Sequence, residues 1–186
     1  MHKKYKVNPD IAIYGKALGN GYAINAIVGK KQVMKFCEKT FISSTFWTER
    51  IGPSAALATL EEMKKQKSWI YITKMGNFIK NRWREMSNKY ELEIEIQGLD
   101  SMANFYFKSK SNQILKTFIT QEMLKRGYLA TNSIYVSTAH SEKIIIKYLK
   151  ELEKIFKFIS INKNKKNYIK SLIKGNISQS GFVRLN

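Results

Sequence analysis

Apolar residues recur three and four positions apart at Ile72, Met75, Ile79, Trp83 and Met86, which predicts a helix with one buried face. The helical pattern begins at Pro53 and continues to about residue 88, with a break expected at 66 to 68. The segment Glu91-Leu-Glu-Ile-Glu-Ile alternates strictly, so it predicts a half-buried strand with its leucine and isoleucines inward. A turn at 97 to 101 and a second strand at 102 to 107 follow. Residues 112 to 126 read as a helix stopped by Gly127, a residue suited to the left-handed position after a helix. Short strands are expected at 128 to 131 and 134 to 136. Ser141 then caps a helix reaching about residue 158, with Ile145, Tyr148, Leu152 and Ile155 inward. Strands grouped with helices in this way suggest a small α/β sandwich.

The amino-terminal third has a different pattern. A short apolar run, Ile11 to Tyr14, reads as a buried strand and ends in Gly15 and Lys16. Gly19 and Gly21 follow, then a second apolar run at 23 to 29 and a short helix at 30 to 38 with Val33, Met34 and Cys37 on one side. The loop from 39 to 52 carries aromatic and hydroxyl residues, as a loop lining a site would. A lysine at the end of a buried strand sits where open α/β sheets place their ligands. Partly desolvated there, an ammonium loses proton affinity and becomes an amine able to form a Schiff base. The plainer reading is that Lys16 is one solvated charge among 28 lysines. The string is not a Walker-type phosphate loop, because its lysine precedes the glycines.

Val7-Asn-Pro-Asp-Ile-Ala-Ile-Tyr-Gly-Lys-Ala-Leu-Gly-Asn-Gly resembles the cofactor-lysine segment of class III (subgroup II) aminotransferases, in the branch that contains glutamate-1-semialdehyde aminomutase. The resemblance implies that Lys16 carries pyridoxal 5'-phosphate as a Schiff base and then moves the substrate proton. Ser43-Ser-Thr-Phe-Trp-Thr-Glu-Arg-Ile-Gly-Pro, leading into an alanine-rich helix, is similar to the family's phosphate threonine segment. Aligned without a gap on Pro53, that threonine falls on Thr48, with Thr45 second. The family role implies a homodimer in which this threonine binds the neighbouring subunit's cofactor phosphate. Physically, Pro53 suits a first helical position, and free amides at a helix start favour a phosphate dianion. Thr48 is otherwise a loop residue beside a helix cap. Lys125-Arg-Gly-Tyr-Leu-Ala and Ser137-Thr-Ala-His-Ser-Glu resemble the family's small domain.

The resemblance implies an α/β chain of fold-type I. Residues 1 to 65 would be a remnant of the large cofactor domain, and 66 to 186 the carboxyl-terminal small domain. It also implies a carboxylate that pairs with the pyridine nitrogen, on a strand well before the lysine. Fifteen residues precede Lys16, and Asp10 is the sole acid among them, too near and on the wrong segment. The expectation is therefore a carboxyl-terminal piece of a longer enzyme, inactive as this chain alone.

Composition narrows the rest. The apolar content of 44% supports a real core. No apolar run approaches the roughly 18 residues of a membrane span. Cys37 is the single cysteine, which excludes an internal disulfide and fits a reducing cytoplasm; it reads as a small core filler. A net charge of +19 raises nucleic acid as a partner. Five of the 33 basic residues are arginine, whereas bidentate reading favours arginine, and the lysines are spread over helix faces. A solvated surface accounts for them better. His140, just before the last helix, reads as a turn residue, and no metal-ligand spacing occurs.

Three functions follow. The first is transamination through Lys16 between a small-molecule amino donor and a keto or aldehyde acceptor. The second is the aminomutase reaction within one molecule, against which Asn20, Tyr22, Trp47, Glu49 and Arg50 introduce bulk and charge. The third is a non-catalytic fragment or pseudoenzyme.

Overall fold

The computed structural model describes residues 5–181, which divide into two compact units after Lys67. In the first, β1 (Ile11–Tyr14) and β2 (Ala26–Gly29) form an antiparallel hairpin with Ile13 opposite Ile27 and Tyr14 opposite Ala26. The Lys30 ammonium meets the Asp10 carboxylate at 2.7 Å at the open end of that hairpin. The predicted helix at 30 to 38 is one α turn, α1 (Lys31–Met34), continued as a 3-10 turn over Lys35–Lys39. Cys37 is partly buried there.

The hairpin corrects one expectation. Ile11 to Tyr14 is not a buried strand: Ile11, Ile13 and Tyr14 are exposed, Ile13 to 71%. Ile27 and Val28 on the partner strand are exposed as well. Adjacent strand positions point to opposite faces, so the hairpin presents apolar side chains on both sides. Among the described residues of this unit, no sheet is large enough to cover either.

Helix α2 (Ile51–Gln66) starts two residues earlier than Pro53 predicts. It ends where expected, because Lys67 takes a left-handed conformation (φ 50°) and donates its N–H to Met63. The second unit begins with α3 (Ser68–Lys89), whose Met75, Ile79, Trp83 and Met86 are buried as the spacing requires. Strands β3 (Ile94–Leu99) and β4 (Met102–Phe107) pair from Ile94–Phe107 to Leu99–Met102. The strand therefore runs further into the expected turn, which Gly98 permits by its positive φ of 82°.

Helix α4 (Asn112–Lys125) ends as predicted: Gly127 has φ 82°, and the Gly127 and Tyr128 amides donate to Leu124 and Met123. The strand expected at 128 to 131 does not form. One short strand, β5 (Ser133–Tyr135), pairs with β4 and gives the antiparallel order β3-β4-β5. Ser141 caps α5 (Glu142–Ile161) by accepting from the Ile144 amide. A short helix, α6 (Lys166–Ser171), starts at the local cluster Lys163, Lys165 and Lys166 and buries Ile169.

The core of this unit is aromatic. Phe105 lies edge-on to Trp83 at 4.9 Å and to Phe156 at 5.6 Å between ring centroids. Such pairs contribute about 0.5–1.5 kcal/mol beyond their area. Gly76 lets α3 approach the β3–β4 turn, since a Cβ there would lie 1.6 Å from the Asp100 carbonyl oxygen. The Lys80 ammonium, nearly buried, donates to the Gly98 carbonyl at 2.7 Å and meets the Asp100 carboxylate at 3.2 Å. That pair ties the turn to the helix.

Candidate active site

Lys16 follows β1 directly and opens a 3-10 turn, Lys16–Leu18, closed by the Leu18 amide on the Gly15 carbonyl at 3.1 Å. Its φ of 50° is in the left-handed region. A side chain held there costs of order 1–3 kcal/mol and persists where the surroundings over-determine it. Two glycines supply those surroundings. A Cβ on Gly19 would lie 2.1 Å from the Tyr22 carbonyl oxygen, and one on Gly52 would lie 2.8 Å from the Ala23 carbonyl oxygen. The loop after Lys16 thus folds tightly on itself and lies against the first turn of α2.

These approaches leave a cavity of about 860 Å³ with Lys16 on its wall. Tyr22, Asn25 and Ile27 line it from the hairpin side; Ser43, Ser44, Phe46, Trp47 and Glu49 line it from the loop before α2. Cofactor-sized ligands occupy clefts of about 300–1,000 Å³ with few polar groups among apolar walls. One primary amine, two serine hydroxyls, the Tyr22 phenol and the rings of Phe46 and Trp47 line it. Lys16 itself is exposed, so this unit does not desolvate it as a buried strand end would.

Thr45 and Thr48 lie in the turn at 45 to 48, both exposed, and neither is on the wall of the Lys16 cavity. Ser43 and Ser44 are, and sequence reasoning passed over them. It read Glu49 as added charge in this loop and not as a cap. That carboxylate accepts from the amides of Ile51 and Gly52, the latter at 3.2 Å. The free amides expected to attract phosphate at the α2 start are therefore already partnered. The available signal is an acid standing two residues before the helix start.

The second unit holds a separate cavity of about 650 Å³, lined by Tyr128, Leu129, Tyr135, His140 and Tyr148 among others. His140 is a turn residue: its Nδ1 accepts from the Ser137 amide at 3.0 Å, while the Tyr71 hydroxyl donates to its carbonyl at 2.9 Å. Burial pushes the Tyr148 phenol far above its usual range, so it stays neutral. Leu129 is 97% exposed on this wall. No cluster of three or more His, Cys, Asp or Glu suited to a metal occurs among the described residues. Nor is any helix among them long and apolar enough to cross a membrane.

Comparison with known proteins bears on this geometry. The chain is similar to glutamate-1-semialdehyde 2,1-aminomutase of Methanosphaera stadtmanae, at 28% identity over 166 residues covering 80% of this chain and 39% of the relative. It is also similar to 3-aminobutyryl-CoA aminotransferase of Cloacimonas acidaminovorans, 26% over 150 residues, covering 80% of this chain and 36% of that one. Among solved structures, the Sphingopyxis sp. MTA144 FumI protein in its PLP internal aldimine form superposes with a TM-score of 0.78 at 19% identity, over 88% of this chain and 40% of that chain. An omega-transaminase from Sphaerobacter thermophilus gives 0.77 at 15% identity, over 84% and 40%. The chain thus spans about 40% of the length of the curated relatives it matches. Its α/β fold is that of the carboxyl-terminal part of fold-type I transferases. The family model "Aminotransferase class-III" matches residues 1–156, and the chain belongs to that family.

Proposed function

We propose that this chain is the lysine-bearing part of a pyridoxal-phosphate-dependent aminotransferase, with Lys16 as its Schiff-base residue. The observation that carries the reading is the placement of Lys16, in strained backbone, on the wall of a cofactor-sized cavity lined by hydroxyls and aromatic rings. The donor set fits one end of the cofactor: an amine for its aldehyde, with Ser43 and Ser44 as hydroxyl donors nearby. When bound, the cofactor supplies an electron sink beside the substrate carbon.

The residues of this chain do the rest. Lys16 Nζ holds the group, and once released it takes and returns the proton at the substrate carbon. The aromatic rings of Tyr22, Phe46 and Trp47 line the cavity, exposed in this chain, and would exclude water once covered by further polypeptide. Thr48, with Thr45 second, serves the phosphate of a neighbouring subunit in a homodimer. Residues 1 to 65 are the remnant of the cofactor domain and 66 to 186 the small domain.

The ring-nitrogen end does not fit this chain. Glu49 is the one carboxylate on the cavity wall among the described residues, and it is engaged at the start of α2. Asp10 is held by Lys30. A carboxylate from further polypeptide therefore completes the site, and the same polypeptide covers the apolar hairpin. A two-stranded hairpin is marginal by itself, which supports that reading. The chain alone is then inactive. We place the enzyme in the cytoplasm, acting on a small amino donor and a keto or aldehyde acceptor, without nucleic-acid or membrane partners.

The aminomutase relatives support a second reading, transfer within one molecule. An assay of the completed enzyme separates the two. Turnover of glutamate-1-semialdehyde without added amino donor favours the mutase; strict dependence on a donor and acceptor pair favours transamination. Absence of both activities in the completed, cofactor-loaded enzyme rejects the proposal in favour of a non-catalytic protein.

A further inference from the structure

A third cavity, in the second unit and far in sequence from Lys16, has the chemistry of a small binding site. It holds about 290 Å³ where the segment before β3, the end of β4, α4, α5 and α6 meet. Its floor is apolar: Leu92, Phe107, Ile114, Leu115, Ile159 and Ile169. An apolar cavity of about 150 Å³ takes benzene, so this one accepts roughly ten to twelve non-hydrogen atoms.

The polar side of the wall favours an anion. Helix α4 begins here with Ser111 as its N-cap, and Ser111 is 93% buried, its relative exposure being 7%. Its hydroxyl makes no capping bond and has no hydrogen-bond partner among the described residues, yet it lies on the cavity wall. The Asn112 amide is satisfied by the Ser109 carbonyl at 3.0 Å. The amides of Gln113 and Ile114 have no acceptor among the described residues, and the first turn of α4 carries no acid. A helix start with free amides and no compensating carboxylate attracts negative charge.

Charges at the rim add to that field. Lys108, Lys163 and Lys166 line the cavity with Glu91 and Glu93. Glu91 is neutralised by Lys163 at 3.1 Å, and its own backbone is left-handed with φ 49°. Glu93 sits beside Lys108, whose amide donates to the Glu93 carbonyl at 2.9 Å. Lys166, at the start of α6, has no ion pair among the described residues. The balance leaves one lysine and the α4 amides for an incoming head group.

We infer that this cavity is a binding site for a small amphipathic anion: a medium acyl chain, about eight carbons by the cavity's capacity, ending in a carboxylate. The chain lies on the floor among Phe107, Ile114 and Ile169. The carboxylate accepts from the Ile114 amide and from the Ser111 hydroxyl, with Lys166 across the mouth. The site owes nothing to the aminotransferase reading.

Titration of the full chain with octanoate, followed by calorimetry and by amide chemical shifts, tests it. Saturable binding with a dissociation constant on the order of 1 mM or tighter is expected for a ligand of this size. The largest shifts should fall on Ser111 and Ile114. Neutral 1-octanol should bind about tenfold more weakly, since a helix start and an exposed lysine contribute modestly together. Acetate and inorganic phosphate, lacking the chain, should not saturate. Octyl phosphate binding more tightly than octanoate would overturn the carboxylate assignment. Ile114→Trp fills the floor and should abolish binding; Ser111→Val and Lys166→Gln, with the fold checked by circular dichroism, should each weaken it several-fold. Equal affinity for octanol, shifts elsewhere, or full binding by Ser111→Val and Lys166→Gln would overturn the inference.

Discussion

Gly76→Ala opposes two physical effects of opposite sign. Gly76 lies inside α3, and in an open helix the change to alanine stabilises by about 1 kcal/mol. Here the new Cβ would sit 1.6 Å from the Asp100 carbonyl oxygen and 2.3 Å from its carbon. Both are backbone atoms, so no rotamer change relieves them. Clearing the oxygen to 3.0 Å takes a shift of about 1.4 Å between helix and turn. Overpacking of this kind costs about 1–3 kcal/mol. The same shift pulls the Lys80 ammonium from the Gly98 carbonyl and the Asp100 carboxylate, now at 2.7 and 3.2 Å. Losing hydrogen bonds to a charged group costs about 1.5–3 kcal/mol more. The net expectation is a loss of roughly 1.5–5 kcal/mol after the helix gain. Thermal melts by far-ultraviolet circular dichroism should then show a fall in Tm on the order of 10 °C. In a Lys80→Met background the penalty should shrink, because one of its parts is already gone. An unchanged or raised Tm for Gly76→Ala would refute the close approach of α3 to this turn.

Two further outcomes follow from the second unit. The Lys89 ammonium, 2.7 Å away, holds the Glu153 carboxyl below its usual range, opposed by partial burial and helped by the Tyr90 hydroxyl. A carboxyl depressed by folding stabilises above its unfolded pKa of about 4.3, and that contribution is lost as pH falls through the folded value. Urea midpoints measured from pH 6 to 3 should therefore drop less steeply in Glu153→Gln than in the parent; an identical slope contradicts the assignment. Ser141→Ala removes the α5 cap. With an amide distance of 3.4 Å, the loss should be at the low end of the range for such caps, about 0.5 kcal/mol, read from urea unfolding. A loss above about 2 kcal/mol would mean that Ser141 does more than cap.

Much of the second unit was legible because its elements are amphipathic and punctuated. The spacing from Met75 to Met86 and from Ile145 to Ile155 selected the buried faces of α3 and α5, while Gly127 marked the end of α4 and Ser141 the start of α5. The segment 128 to 131 misled because tyrosine, leucine and alanine read as a strand, while β5 is a three-residue pairing set by β4. The short α6 was hidden in a lysine-rich stretch whose single buried anchor is Ile169. In the first unit, local rules located Lys16 and its glycine turn. They could not show that β1 stands exposed, since a run of apolar residues states what a strand needs and not what this chain supplies. The capping role of Glu49 was missed for a related reason: it satisfies two amides, which depends on where α2 begins.

The central claim is that Lys16 is chemically set apart from the other lysines. Near-stoichiometric pyridoxal phosphate, borohydride reduction and peptide mass spectrometry measure this directly. The account predicts a pyridoxyl group concentrated on Lys16, and little total label in Lys16→Ala. Label spread over the exposed lysines in proportion to their accessibility, unchanged in Lys16→Ala, would contradict it.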